Sequence, residues 1–194
     1  VEFGPGLSKH YSMASTPSEP EIEFQVRHMP GGRTSAFVAN ELKVGDTVKV
    51  SGPLGSSYLR DRHAGPVLLV AGGSGFAPMQ AILNTLLARD YREQVVLYFG
   101  VRSERDLYHE GLLRDLAARH ANFTYHVVLS EQLGGTGRRY GLVHEAVAQD
   151  IPSFDGWKAY LAGPPVMVEA ATAMLESRGL PHRDIHADAF YNQP

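Results

Sequence analysis

The chain has 194 residues, of which 43% are hydrophobic and 20% are charged, and its formal net charge is −3. This length suffices for one large or two small domains with a buried core, and the composition excludes a disordered chain. The near-neutral charge argues against nucleic-acid binding, which needs a basic surface. No apolar run approaches the roughly 18 residues of a membrane span. We therefore expect neither a nucleic acid nor a membrane as a partner.

The sequence contains no cysteine. This excludes disulfides, zinc–thiolate sites and Cys-ligated iron–sulfur clusters within these residues. Redox chemistry would then depend on an organic cofactor or on a separate partner. A disulfide-free chain also fits the cytoplasm, where thiols stay reduced. The scattered histidines suggest no metal geometry, so no metal site is predicted.

The first third of the chain alternates short apolar segments with turns. Residues 22–27 and 47–50 alternate apolar and polar side chains, and residues 30–32, 45–46 and 51–55 are turn-forming. Short alternating strands with frequent turns are typical of an antiparallel sheet or small barrel. We predict a β-barrel domain over residues 1–64.

After Pro66 the pattern becomes an alternation of strands and helices. Residues 67–70 form a continuous apolar run, and apolar residues between positions 76 and 87 recur with helical spacing. Strands at 95–99, 123–129, 159–162 and around Ile185 alternate with helices at 107–118, 142–149 and 166–177. This alternation predicts a doubly wound parallel sheet of five strands over residues 65–194. Residues 134–139, rich in glycine and arginine, are predicted to form a solvated loop.

A glycine-rich turn follows the first of these strands. It comprises Gly72, Gly73, Ser74 and Gly75, and Pro78 fits the first turn of the next helix. Such a turn lets a phosphate approach the backbone at the positive end of a helix. The pattern is neither the dinucleotide fingerprint, nor a hydrolase nucleophile elbow, nor a P-loop. By itself it also fits an ordinary tight turn.

Three further segments are candidates for ligand binding. One of them follows a later strand and would form a second wall of the same cleft. The other two lie in the β domain, where the first also fits a plain strand end and the second also fits a turn at a helix start. The three segments are Ala162-Gly163-Pro164-Pro165-Val166-Met167, Lys9-His10-Tyr11-Ser12 and Pro30-Gly31-Gly32-Arg33-Thr34-Ser35.

In this order, on a β domain followed by an α/β domain, these motifs resemble the ferredoxin-NADP reductase-like flavoprotein reductases. The resemblance covers essentially the whole chain and is strongest to reductase components of bacterial aromatic-ring dioxygenases of the naphthalene type. The segments that carry this likeness are Tyr11-Ser12-Met13-Ala14, Pro30-Gly31-Gly32-Arg33, Ser51-Gly52-Pro53-Leu54-Gly55, Tyr98-Phe99-Gly100-Val101-Arg102-Ser103 and Asp188-Ala189-Phe190-Tyr191.

The resemblance implies FAD and NADH as cofactors, with NADPH possible, and a role for each motif. Tyr11 would stack on the flavin and Ser12 would hydrogen-bond near its N5 atom, and these two are the expected catalytic residues. The other implied FAD-binding residues are Lys9, His10, Arg27, His28, Met29, Gly31, Gly32, Arg33, Thr34, Ser35, Phe190 and Tyr191. The implied nicotinamide-dinucleotide residues are Gly72, Gly73, Ser74, Gly75, Pro78, Arg102, Ser103, Ala162, Gly163, Pro164 and Pro165.

The chain departs from the family pattern at three points. Lys9 stands where the family usually has Arg, which keeps the charge but loses the bidentate fork. Ala162 stands where the family often has Cys, near the nicotinamide. Leu7 follows Gly6 at once, where the family has a further strand, so about ten residues are expected to be absent there.

The implied function is electron transfer from NAD(P)H through FAD to an iron–sulfur acceptor, a ferredoxin or Rieske-type oxygenase component. Relatives of this type commonly carry a [2Fe–2S] domain ahead of the flavin domain, so the lack of cysteine suggests that such a domain is missing here or belongs to a partner. Two alternatives stay open. One is a reductase for a cytochrome, a globin or free flavin, and the other is a non-catalytic nucleotide-binding module.

Overall fold

The computed structural model describes residues 1–131 and 137–191, so residues 134–136 of the predicted loop lie outside the described residues. Six strands and five helices are described. The strands are β1 (Val67–Gly72), β2 (Val95–Val101), β3 (Phe123–Leu129), β4 (Arg139–Tyr140), β5 (Lys158–Gly163) and β6 (Ile185–Ala189). The helices are α1 (Arg33–Asn40), α2 (Phe76–Ala88), α3 (Glu110–Arg119), α4 (Val143–Asp150) and α5 (Pro165–Ser177).

All neighbouring strands are parallel, and their order is β4-β3-β2-β1-β5-β6. The predicted doubly wound sheet is confirmed, but the prediction of five strands was wrong by one. The additional strand, β4, has two residues, too few to show any pattern in the sequence. Side chains hold it at the sheet edge, because Arg139 forms an ion pair with Asp150 and a 2.5 Å hydrogen bond with Gln149.

The helices form two layers, with α2 and α3 on one face of the sheet and α4 and α5 on the other. Successive residues of β1 point to opposite faces, so Leu69 packs toward α2 and α3 whereas Leu68 packs toward α4 and α5. Both leucines are fully buried. Burying one such side chain contributes about 1.5–3 kcal/mol to stability. The continuous apolar run predicted a strand covered on both faces, and this prediction is confirmed.

Residues 1–64 are organised differently from the prediction. Throughout this fully described segment, strand pairing is confined to isolated antiparallel bridges, Glu2 with Ser8 and Lys49, and Met13 with Phe24. The only helix among these residues is α1. Five prolines and seven glycines interrupt the segment, and proline cannot donate to a strand ladder. The antiparallel direction is as expected, but a barrel is not confirmed.

The chain turns tightly where about ten residues were expected to be absent. The Phe3 amide donates to the carbonyl of Leu7 at 2.8 Å, and the Leu7 amide donates to that of Gly4 at 3.0 Å. The segment is therefore a closed hairpin, and the absence of a family strand stays a prediction. None of the helices within residues 1–131 and 137–191 is long and apolar enough to cross a membrane.

Candidate functional site

The strand order places a topological switch point between β1 and β5. From β1 the chain adds β2, β3 and β4 on one side, then returns to place β5 and β6 on the other. Ligands of open α/β sheets bind in the crevice at the carboxyl ends of the strands on either side of such a point. The predicted glycine-rich turn begins at Gly72, the last residue of β1. The second predicted loop begins at Ala162, and its next residue, Gly163, is the last of β5. Both motifs therefore lie at the switch point.

The loops after β1 and β5 pack backbone against backbone, and glycine permits this contact. A Cβ at Gly75 would lie 2.0 Å from the carbonyl oxygen of Ala162, and one at Gly163 would lie 2.8 Å from that of Gly72. A Cβ at Gly72 would lie 2.7 Å from Cδ of Pro164. These glycines are thus required for the close approach of the two loops, a physical reason that the sequence did not reveal.

Gly73 differs from its neighbours because open space surrounds it. Its φ is +53°, and among the described residues a Cβ there would meet only Nη1 of Arg27, at 3.7 Å. Ser74 continues the turn, α2 begins at Phe76, and the predicted first-turn position of Pro78 is confirmed. The positive end of α2 and the Arg27 guanidinium thus border the same space, an arrangement that suits a phosphate.

The loop after β5 is fixed by proline and by the end of β6. Pro164 precedes α5 and Pro165 is its first residue, which matches the helix start that the two prolines predicted. The amide of Phe190 donates to the carbonyl of Gly163 at 2.9 Å, and the Phe190 ring packs partly buried against the core. Tyr191 is 68% exposed. Phe190 therefore lies beside the predicted cleft.

Two aromatic side chains pack beside the ring of Tyr11. The Tyr11 ring lies 6.1 Å from that of Phe3 and 6.4 Å from that of Phe24, measured between centroids. Burial raises the pKa of the Tyr11 hydroxyl, so it stays protonated at neutral pH. The antiparallel bridge between Met13 and Phe24 directs Tyr11 and Ser12 toward the residues that follow Phe24.

The neighbouring predicted residues are exposed. Lys9 and His10 are on the surface, as are Arg27, His28 and Met29. The backbone of Lys9 is fixed by hydrogen bonds in both directions with Val1, of 2.7 and 3.0 Å. The side chains of these residues are thus free of the core and available to a ligand.

The turn after Met29 leads into α1. The Ser35 hydroxyl donates to the carbonyl of Gly32 at 3.1 Å and accepts from the amide of Met29 at 3.1 Å. Gly31 has a φ of +75°, and a Cβ there would meet nothing within 4 Å. Helix α1 begins at Arg33, with Thr34 and Ser35 buried in its first turn. The turn presents open backbone beside a helix start, which fits a pyrophosphate.

Arg102 and Ser103 follow β2, and Arg102 is held by a carboxylate. Its Nε and Nη2 atoms lie 3.0 and 3.2 Å from the two carboxylate oxygens of Asp106. Burial alone would raise the pKa of Asp106, but the hydrogen bond from Arg102 and the nearby positive charges outweigh it and hold that pKa below its ordinary value. Asp106 therefore stays negatively charged at neutral pH and holds the Arg102 guanidinium in an ion pair.

A second set of ion pairs joins Arg138 to two glutamates. Arg138 donates to Glu104 at 2.8 Å and forms a two-pronged pair with Glu110 at 2.8 and 2.9 Å. These pairs raise the pKa of Arg138 further above its already high ordinary value. The prediction that Arg138 and Arg139 lie in a solvated loop was wrong, because both are anchored to acidic side chains.

Three residues that the motifs did not include connect the two parts of the site. Gln25 hydrogen-bonds both to Gln80 of α2, at 2.9 Å, and to the hydroxyl of Tyr108, also at 2.9 Å. Gln80 is 5% exposed. A polar side chain within the apolar pattern of α2 is the signal that could have indicated this contact, since a buried amide requires a partner.

A cavity of about 250 Å³ lies elsewhere. Its lining includes Arg60, Thr172 and His186, and none of the predicted cofactor residues. The Nε2 atom of His186 is buried without a hydrogen-bond partner among the described residues. The cavity lies toward the start of β6, whereas the site described above lies at the strands' carboxyl ends. This cavity is therefore separate from the predicted cofactor site.

The doubly wound sheet, the switch point and the glycine-rich turn together define a nucleotide-binding α/β protein. The chain belongs to the family described as the oxidoreductase NAD-binding domain, whose family model matches residues 69–173. The model of the oxidoreductase FAD-binding domain matches residues 4–58. The expectation of FAD and NAD as cofactors agrees with both matches.

Curated relatives extend this similarity. The chain is 48% identical over 191 residues to the ferredoxin–NAD(P)(+) reductase component of the naphthalene 1,2-dioxygenase/salicylate 5-hydroxylase systems of Ralstonia sp., covering 98% of this chain and 58% of the relative. It is 42% identical to the corresponding naphthalene 1,2-dioxygenase component of Pseudomonas putida, with the same coverage of 98% and 58%. The chain thus spans 58% of the length of these relatives.

A solved structure agrees in fold. The cytochrome P450 reductase GcoB of Amycolatopsis superposes with a TM-score of 0.91 at 38% identity, covering 98% of this chain and 58% of that one. The resemblance to ferredoxin-NADP reductase-like flavoprotein reductases, and in particular to naphthalene-type reductase components, is confirmed by these comparisons.

Proposed function

We propose that the chain is the flavin- and nicotinamide-binding part of an electron-transfer reductase. It passes electrons from NADH through FAD to an iron–sulfur acceptor that serves an aromatic-ring-hydroxylating oxygenase. The acceptor is a ferredoxin or a Rieske-type oxygenase component, and the iron–sulfur centre lies outside these cysteine-free residues. The names of the two relatives support this assignment. Residues 1–64 serve as the FAD domain and residues 65–194 as the NAD(P)H domain.

One observation carries the proposal. Arg27 lies within the segment that matches the FAD-binding model and reaches to the glycine-rich turn of the NAD-binding segment, where Nη1 is 3.7 Å from a Cβ built on Gly73. Transfer between two organic cofactors requires that their binding segments meet. Here they meet at the switch point of the sheet.

The chain's own residues bind and orient the two cofactors. The open backbone of Gly31 and the start of α1 would hold the FAD pyrophosphate, Tyr11 would stack on the flavin ring, and the Ser12 hydroxyl would hydrogen-bond near N5. The Gly73 turn and the positive end of α2 hold the nicotinamide dinucleotide. When bound, FAD converts a two-electron donor into a source of single electrons. The protein supplies position and electrostatics, and it needs no general acid or base.

We propose NADH as the preferred donor, with NADPH tolerated. Asp106 occupies the Arg102 guanidinium, which a 2′-phosphate would otherwise use, and Glu104 adds negative charge beside it. Comparing kcat/KM for the two donors tests this preference. A strong preference for NADPH would contradict it.

The acceptor is tested with the FAD-loaded chain and excess NADH. We expect faster reduction of a Rieske-type ferredoxin than of cytochrome c. The reverse order would indicate a reductase for another acceptor, and a protein that takes up no FAD would indicate a regulatory nucleotide-binding module.

Ser12 provides a matched test of the site itself. Ser12→Ala removes one hydrogen bond near the reacting atom, so flavin reduction by NADH should slow about threefold to tenfold. The control is Ser8→Ala, on the same segment but exposed. Equal reduction rates in Ser12→Ala and the wild type would contradict the role given to Ser12.

A further inference from the structure

A chain of polar contacts connects the predicted flavin-binding segment to the glycine-rich turn. It comprises Glu23, Gln25, Gln80, Tyr108 and the carbonyl of Gly73, and we call it the polar bridge. The Gln25 amide donates to Gln80 at 2.9 Å and to Glu23 at 3.0 Å. The Tyr108 hydroxyl lies 2.9 Å from Oε1 of Gln25 and 3.2 Å from the carbonyl oxygen of Gly73. Its single hydrogen is shared between these two acceptors.

The ring of Tyr108 is held rigidly beneath this hydroxyl. Its centroid lies 5.6 Å from those of Phe76 and Phe99, in edge-to-face geometry with both. Phe76 is the first residue of α2, and Phe99 belongs to β2. The hydroxyl is therefore fixed relative to the sheet, and whatever it binds is fixed as well.

The other end of the polar bridge is also constrained. Gln80 is buried in α2, and its amide donates to Glu23 at 3.4 Å. Burial and the negative charge of Glu23 raise the pKa of Tyr108, so the hydroxyl keeps its hydrogen at neutral pH. Leaving the Gln80 amide without a partner would be unfavourable, because buried polar groups require hydrogen bonds.

We propose that Gln25 and Tyr108 are positioning residues, which align the Gly73 turn with the flavin-binding segment so that the nicotinamide dinucleotide binds against it. This inference rests on the proposed function. Neither residue needs to touch a cofactor, since each acts through the carbonyl of Gly73 or through the backbone two residues before Arg27. Loss of the polar bridge should therefore weaken dinucleotide binding without unfolding the protein.

The test uses the FAD-loaded chain and NAD⁺ as the probe, with the dissociation constant measured by calorimetry. Tyr108→Phe keeps the ring and removes the hydroxyl. We expect the Kd for NAD⁺ to rise about threefold to tenfold, in addition to the fall in Tm of a few degrees that loss of one hydrogen bond causes. The matched control is Tyr125→Phe on β3, whose hydroxyl forms no hydrogen bond among the described residues. Its Kd should equal that of the wild type.

A double variant distinguishes positioning of the Gly73 turn by the polar bridge from a general loss of stability. If Gln25→Leu and Tyr108→Phe break the same polar bridge, the double variant should bind NAD⁺ no more weakly than the weaker single variant. Multiplied effects would show independent contributions and would overturn the inference, as would an unchanged Kd in Tyr108→Phe. A lowered Tm with an unchanged Kd would assign the polar bridge to stability alone. A wild-type chain that loads FAD but binds no NAD⁺ would contradict the proposed function as well.

Discussion

Gly75→Ala tests the contact between the two loops of the site most sharply. Gly75 has helical dihedral angles, φ −62° and ψ −9°, which alanine adopts without strain. Backbone conformation alone would therefore favour alanine by about 0.4–1 kcal/mol. The added Cβ, however, would lie 2.0 Å from the carbonyl oxygen and 2.4 Å from the carbonyl carbon of Ala162, below the 3.0 Å that real Cβ atoms observe.

The loops would have to separate by about 1 Å to relieve this overlap, and the obstructing atoms are backbone that cannot rotate away. Such overpacking typically costs about 1–3 kcal/mol. For a chain of 194 residues this corresponds to a fall in Tm of roughly 2–12 °C. We expect this fall in a thermal melt followed by circular dichroism, together with weaker binding of NAD⁺.

The matched control is Gly111→Ala. Gly111 lies in α3, and a Cβ there would meet nothing within 4 Å. Alanine is favoured over glycine within a helix by about 0.8–1 kcal/mol, so this variant should melt at the wild-type temperature or above it. If Gly75→Ala were as stable as Gly111→Ala, the close packing of the two loops would be refuted.

The remaining predictions concern selectivity, pH and cofactor affinity. Asp106→Asn frees Arg102 for a 2′-phosphate, so the NADPH-to-NADH ratio of kcat/KM should rise roughly twofold to fivefold, the size of effect expected from an exposed ion pair; an unchanged ratio would contradict the role of Arg102. Tyr98→Phe removes a 2.9 Å hydrogen bond to Asp150 and should lower the free energy of unfolding by about 0.5–1.5 kcal/mol in urea titrations. Burial alone would raise the pKa of Asp150, but the hydrogen bonds that it accepts outweigh burial and lower this pKa. The ionised Asp150 carboxylate therefore stabilises the fold fully above the unfolded pKa of about 3.9, and this stabilisation is lost as the pH falls through the folded pKa. Asp150→Asn should therefore flatten the acid-side loss of stability, and an equally steep loss in the variant would count against this assignment. Lys9→Arg restores the bidentate fork and should lower the Kd of FAD, whereas an equal or higher Kd would show that Lys9 does not contact phosphate.

The sequence predicted the α/β part well because its signals are strong and local. A strand buried on both faces needs an unbroken apolar run, and the run at 67–70 marked β1. The two prolines before Val166 marked the start of α5. The short strand β4 could not be predicted, since its position depends on Arg139 reaching Asp150, eleven residues away in the chain.

The β domain and the cofactor site were predicted less well, because they depend on contacts between distant parts of the chain. Alternation at residues 22–27 predicts pairing but not its extent, and the structure has a single bridge at Phe24. Gln25 and Tyr108 are 83 residues apart, so their contact exists only once the two parts of the chain have packed. The need for glycine at position 75 likewise arises from a strand that follows much later in the sequence.

Reduction of bound FAD by NADH tests the central claim most directly. The purified chain is loaded with FAD, freed of excess cofactor and mixed anaerobically with NADH while its visible spectrum is recorded. We predict that the chain retains FAD and that NADH bleaches the flavin absorbance. A chain that retains no FAD, or whose bound FAD keeps its oxidised spectrum with NADH and NADPH alike, would contradict the proposed function.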